Sequence, residues 1–414
     1  MKKLRVWFFA GLTMSVLAMS AQAQQPLKIG FGMSLTGPLA GNGKAALISM
    51  QIWAEDVNAR GGLLGRKVEL VYYDDQTNPS TVPSIYNKLL DVDKVDLVVS
   101  GYGTNVIAPA MPIMMQRNMT FMALFGLNVN SKFNYDRYFQ IMPAGPDPAI
   151  GWTQGFFDVA MTLNPKPQTV ALVGADAEYP ALALEGARAQ AKRTGLKVVY
   201  DKSYPPNTVD FSPIVRAIQA TNPDVVFLAS YPPDSAGMVR AVNEVGLKTR
   251  MFGGGLVGTQ FAALKTQLGP LLNGMVNYEA YAPEVSAKFP FLEQFLAKYQ
   301  GRAVKEGVDP LGFYLPPYAY AMMQVLEQAI KATGGLDQAK LADYMHTYEF
   351  DTFVGKVRFA KNGEWSIPRM LTVQYHGVSG NDLEQWMKPG HVTVLAPSDY
   401  KTGAVLAPYQ DNKK

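Results

Sequence analysis

The chain has 414 residues, 48% of them hydrophobic and 17% charged, with a formal net charge of +4. This is a globular balance, at a length that suggests two or three domains. Lys2, Lys3 and Arg5 supply three of those charges, so +1 remains beyond them. No basic stripe is interleaved with aromatics, which argues against a nucleic-acid partner.

Residues 1–23 read as a cleaved secretory signal: a basic start, the apolar run Val6–Ala18 and the small-x-small site Ala21-Gln22-Ala23. The run is 13 residues long, short for a membrane span. There is no cysteine, hence no disulfide and no thiol for a lipid anchor. Together these features predict export to a bacterial periplasm, with cleavage before Gln24.

The first βαβ unit follows. Leu27–Met33 reads as a strand, Ser34–Gly43 as a turn, Lys44–Asn58 as a helix, Gly61-Gly62 as a break and Val68–Asp74 as a second strand. Its turn leaves the carboxyl end of a strand, where open α/β sheets bind ligands. Asp74 and Asp75 are neighbours on a strand and point to opposite faces, so they read as a turn rather than an acid–base pair. A helix (Pro83–Leu90) and the strands Val95–Ser100 and Thr120–Leu124 come next. The two strands end in Gly101-Tyr102-Gly103-Thr104-Asn105 and Phe125-Gly126-Leu127-Asn128. Such ends suit ligand contact, because glycine lets backbone approach closely and N–H groups at a helix start attract anions.

Pro143–Pro148 breaks the pattern, a helix over Ala149–Leu163 follows, and the plan restarts. Strands over Thr169–Val173, Lys197–Tyr204 and Asp224–Ser230 alternate with helices, and Asp224 lies 128 residues after its counterpart Asp96. Two copies of one α/β plan mean two lobes rather than a solenoid. The remainder reads as strands at Arg250–Phe252 and Gly274–Asn277 and helices over Ser286–Gln300, Pro316–Thr333 and Leu336–Tyr344. A hairpin of Gly355–Phe359 with Arg369–Tyr375 and a disordered Asp411–Lys414 close the chain.

Catalytic patterns are missing. The three histidines, His346, His376 and His391, are not at metal spacing. Thr36 replaces the last glycine of a nucleophile elbow, Leu35 the third glycine of a dinucleotide fingerprint, and Ala45 the Ser/Thr of a P-loop. The reading is a non-enzyme with no metal and no cofactor.

Several passages, in order, resemble periplasmic solute-binding proteins of ABC transporters of the leucine/isoleucine/valine-binding type. They are Gly32–Gly41, Asn58–Gly62 with Tyr73-Asp74-Asp75, Tyr179 at a helix start, Tyr231 through Thr249, and Phe353-Val354-Gly355 with Phe359 and Gly363. The resemblance runs from Leu27 to Tyr375. It implies a type I periplasmic-binding-protein fold, two Rossmann-like lobes with three crossovers near 142–145, 274–277 and 352–355. The expected division is residues 24–143 plus 277–353 for the first lobe, 144–276 plus 354–395 for the second, and a tail from 396 to 414. Ligand would lie in the cleft, its carboxylate on Gly103, Thr104 and Asn105, with Phe125, Gly126 and Asn128 beside it and Tyr179 and Tyr231 closing from the second lobe. Tyr102, Asn42 and Gly255 complete the candidate set.

Two departures bear on the ligand. Asn42 stands where amino-acid-binding members carry an aromatic, and Gly253-Gly254-Gly255-Leu256 where they carry an acid for the ligand ammonium. A buried ammonium without a carboxylate costs several kcal/mol. The expectation is therefore a carboxylate ligand, aromatic or other, without an α-amino group, unless Asp176, Glu178 or Asp234 supplies the charge. The protein would act as a monomer, handing a small-molecule solute to an ABC permease. The other reading is a ligand-sensing receptor module of the same fold.

Overall fold

The computed structural model describes residues 25–289 and 291–413; the expected signal segment lies outside the described residues. β1 (Leu27–Met33) pairs in parallel with β2 (Val68–Asp74), Leu27 opposite Val68 through Met33 opposite Asp74, and with β3 (Leu97–Tyr102) on its other side. With β4 (Phe121–Leu124) and β5 (Tyr138–Gln140) they form a five-stranded sheet in the order β2-β1-β3-β4-β5. Every residue of β3, β4 and β5 is buried, as a parallel sheet covered on both faces requires.

The second sheet repeats this order. β6 (Thr169–Ala175), β7 (Lys197–Tyr204), β8 (Val225–Ser230), β9 (Met251–Leu256) and β10 (Val276–Glu279) run parallel as β7-β6-β8-β9-β10. The 128-residue rhyme between Asp96 and Asp224 therefore marks the same place, the entry to the third strand of each copy. The strand at Val276–Glu279 pairs within the second sheet, so the chain stays there through Glu279.

One expected pairing is corrected. β11 (Glu349–Thr352) pairs with β12 (Gly355–Arg358), Thr352 opposite Gly355, across a two-residue turn that the chain leaves through Gly355 at φ +88°. The segment expected to pair with β12 instead becomes β13 (Leu371–Tyr375), which lies antiparallel between β10 and β14 (Val392–Ala396) in the second sheet. All five residues of β13 are buried, and an inner position in a large sheet satisfies such a strand on both edges.

The end of the chain is also ordered as far as it is described. Tyr409 is buried, its ring 5.3 Å from Phe252, and its N–H donates to the carbonyls of Thr249 and Arg250. Gln374 binds both the N–H and the carbonyl of Leu406. Beyond them, the Asp411 N–H and Asn412 Nδ2 donate to the carbonyl of Pro408, at the start of the Asp411–Lys414 segment expected to be disordered.

Late helices complete the first lobe. The helix Leu315–Thr333 packs along the helix Ala40–Ala59. At their contact the buried Trp53 donates Nε1–H to Glu327 at 3.0 Å, and Arg60 and Lys331 pair with the same carboxylate. Burial raises the Glu327 carboxyl, but the hydrogen bonds and charges of Lys331 and Arg60 outweigh it and hold it below its ordinary value.

Candidate functional site

In the order 2-1-3-4-5 the connections leave β1 and β3 toward opposite faces, which opens a crevice at their carboxyl ends. Two such crevices face each other here, one per lobe. Asp74 and Asp75 fix the turn that leaves β1. Asp74 accepts from the N–H groups of Leu35 and Thr36 and from the Thr36 hydroxyl, and Asp75 accepts from Ser34 Oγ at 2.6 Å. Burial raises the Asp74 carboxyl, yet its hydrogen bonds from Thr36, Gln76 and Leu35 dominate and lower it overall; at Asp75 burial prevails and the carboxyl is raised. The pair is a staple for the turn.

The β3 end turns through Gly103 at φ +106°, a conformation open to glycine, into a short helix begun by Thr104. Thr104 Oγ1 accepts the N–H of Leu127 at 3.0 Å, which leaves its own proton to donate. Phe125 follows β4 at φ +58°, a costly conformation for a bulky residue. Gln140, fully buried, holds it there. Its Oε1 accepts the N–H of Phe125 at 2.9 Å, and its Nε2 donates to the carbonyl of Gly126 at 2.7 Å.

These ends meet their counterparts across a cavity of about 20 Å³. Leu39, Tyr102, Gly103, Thr104, Phe125, Leu127 and Met142 line it from the first side, Trp152, Tyr179, Tyr231 and Val257 from the second, and Tyr314 from the start of the late helix. The space is little more than one water, because the rings close on one another. Tyr102 and Tyr314 hydroxyls lie 3.2 Å apart, the Phe125 ring is 5.3 Å from Tyr314, and Tyr179 is 5.8 Å from Tyr231.

The wall is rich in donors and free of charged side chains. Tyr231 Oη and Trp152 Nε1 are buried without a hydrogen-bond partner among the described residues, and Thr104 has a proton to give. Tyr179 already donates to the carbonyl of Gly255 at 2.9 Å. Burial pushes the Tyr102, Tyr179, Tyr231 and Tyr314 phenols upward, so they remain neutral hydroxyls. None of the three acids considered from sequence lines the cavity. Asp176 is exposed, Glu178 pairs with Lys132 of the opposite lobe at 3.5 Å, and Asp234 accepts from Tyr204 Oη at 3.4 Å.

Of the sequence candidates, Tyr102, Gly103, Thr104, Phe125, Tyr179 and Tyr231 come together on this wall. Gly255 lies behind it as the acceptor for Tyr179, and Gly126 as the acceptor for Gln140. Asn128 shapes the turn before Asn130–Phe133, its carbonyl bonded by Ser131. Asn105 is adjacent to the wall with its Oδ1 buried and unpaired, and Asn42 lines a neighbouring cavity. Sequence reasoning missed Trp152 and Tyr314. Tyr314 immediately precedes the helix that Pro316-Pro317 announces, a signal that could have found it. Among the described residues no group of three or more acids or histidines is placed to hold a metal.

The sequence profile described as periplasmic binding protein matches residues 26–376. The chain belongs to the periplasmic binding protein family. It is thus one of a family of binding proteins, not enzymes, built on two lobes of the type I fold. An amino acid binding protein of Pseudomonas aeruginosa is 27% identical over 368 residues, covering 87% of this chain and 93% of that relative. The branched-chain amino acid transporter substrate-binding protein of Streptococcus pneumoniae, solved with isoleucine, superposes with a TM-score of 0.71 at 18% identity, over 90% of this chain and all of that one (100%). A solute-binding protein of an ABC transporter from Rhodopseudomonas palustris, solved with 3,4-dihydroxybenzoic acid, gives 0.70 at 17% identity, over 86% and 94%.

Proposed function

We propose that this periplasmic binding protein captures a small carboxylic acid lacking an α-amino group, aromatic for preference, and delivers it in the periplasm to an ABC-type permease. The observation that carries this reading is the donor-rich wall without an acid. A carboxylate only accepts hydrogen bonds, and Thr104 and Tyr231 offer protons that have no other taker. An ammonium would bring three more donors to a wall with no carboxylate to receive them. The rings around the cavity suit an aromatic body. The same fold accommodates isoleucine in one neighbour and dihydroxybenzoate in another, so chemistry at the wall must decide.

In this reading the lobes divide where the chain passes between the sheets, near residues 141–147, 280–291 and 359–370. They part to admit the solute and close over it. Thermal unfolding of the chain from Gln24, against leucine, isoleucine, valine, neutral amides and aliphatic and aromatic acids, tests the ligand class. A ligand at about 100 times its Kd adds roughly 2.7 kcal/mol and raises Tm by several degrees. A shift with acids and none with leucine is expected. A shift with leucine alone would overturn the reading.

A further inference from the structure

The inner cavity is too tight for the body of an organic acid, but it is not the only space between the lobes. A second cavity of about 530 Å³ lies directly outside it. The two share their walls residue by residue: Leu39, Tyr231 and Val257 line the inner one, and their chain neighbours Pro38, Pro232 and Gly258 line the outer one. Both cavities are thus made by the same three strand-end turns, and a molecule anchored at Gly103 and Thr104 would extend into the outer space.

The outer wall carries its own chemical preference. Asn42 lines it, is only 3% exposed, and has a buried Nδ2 with no acceptor among the described residues. Lys44, two residues along the same helix, stands exposed on this wall and forms no ion pair among the described residues. The one acid on this wall is committed. Asp309 accepts the N–H groups of Ala262 at 2.9 Å and Gly312 at 3.0 Å, and so caps the helix Ala262–Leu268. What remains is an orphan amide donor and an unpaired ammonium beside apolar surface.

We propose that the outer cavity is a second subsite of the same ligand site. It takes the far end of an elongated acid whose terminal oxygen acceptor, a second carboxylate, is bound by Asn42 Nδ2 and Lys44. This inference rests on the proposed function for the head of the ligand and adds the class: dicarboxylic acids in preference to monoacids of equal length. Pro38, Pro232 and Phe261 pack against the body between the two polar ends.

Isothermal titration of the chain from Gln24 with matched pairs, p-toluate against terephthalate and hexanoate against adipate, tests it. In each pair only the far end differs. A charge-assisted hydrogen bond made in a sheltered cavity predicts that one or both diacids bind about tenfold or more tighter than their partners. Lys44→Glu, at an exposed position that leaves folding intact, is expected to bring that ratio to one or below, and Asn42→Leu to reduce it severalfold. Gly41→Trp would fill the outer cavity, since a Cβ there meets nothing within 4 Å, and is expected to exclude the diacid. Monoacids that bind as well as diacids, or a ratio that survives Lys44→Glu, overturn the subsite while leaving the head reading intact. No binding by any acid overturns both.

Discussion

The interior holds two polar places built on opposite principles. Between helix Ala262–Leu268 and β10 a full ion pair is buried: Lys265 Nζ and Glu279 Oε1 are 2.8 Å apart, each side chain 3% exposed. Tyr375 donates to the same oxygen at 2.7 Å, and the ammonium sits 4.4 Å from the Tyr375 ring and 4.2 Å from that of Trp386. The inner cavity has rings of the same kind but no charge at all. This chain can bury an acid next to a cation when the surroundings supply both, so an uncharged binding wall is a feature of that wall and not a limit of the fold. In the proposed reading it selects by offering protons.

The sharpest way to expose the contrast is to break the buried pair. Lys265→Met leaves Glu279 alone and is expected to cost about 3–5 kcal/mol in urea unfolding, while Lys265→Met with Glu279→Leu recovers most of the loss. Asp234 is the intermediate case, a buried acid with one phenol for a partner. Burial pushes its carboxyl up to about 6, against the smaller lowering by Tyr204. The unfolded carboxyl ionises near its ordinary 3.8, so between about pH 4 and 6 the unfolded state has lost a proton that the folded state keeps. Stability therefore falls through that window and levels above it. Asp234→Asn removes the fall, and its stability relative to wild type is expected to rise by roughly 1–3 kcal/mol from pH 4 to pH 7.

At the uncharged wall, Thr104→Val removes the donor that the proposed reading assigns to the ligand and leaves the Leu127 N–H without its acceptor. An affinity loss of about tenfold is expected by titration, with a fall of a few degrees in Tm. Smallest is the pair that bridges the lobes at the surface. Glu178→Gln cuts the contact to Lys132, whose side chain is 61% exposed. Ligand affinity is expected to change less than about threefold, and the change should vanish in high salt.

What the sequence made legible was the punctuation. Gly103-Thr104 and Phe125-Gly126 follow apolar runs that can only be buried strands, and the echo of Asp96 in Asp224 gave the two-lobed plan. Trp152 was hidden because it sits where the helix Pro148–Ala160 places an ordinary core ring, and Tyr314 because it stands one residue before its helix, outside any periodic pattern; both become wall only where the lobes meet. The partner of Leu371–Tyr375 was hidden for a related reason: β10 lies almost a hundred residues away, and nothing local names it. The acids fared differently. Asp176, Glu178 and Asp234 were visible as candidates, but only their surroundings show that none lines the inner cavity.

The junction of Trp53 with Glu327 sets an order of events during folding. The two residues are 274 positions apart, so the helix Ala40–Ala59 is synthesised long before the surface that covers it. The first sheet can pair early, yet one flank of its first helix must wait for a partner near the end of the chain, and such distant closures are slow. Trp53 should therefore change its fluorescence in the last refolding phase, later than probes placed in β1 and β3. Until then its uncovered flank is a natural handle for whatever keeps the newborn chain from aggregating.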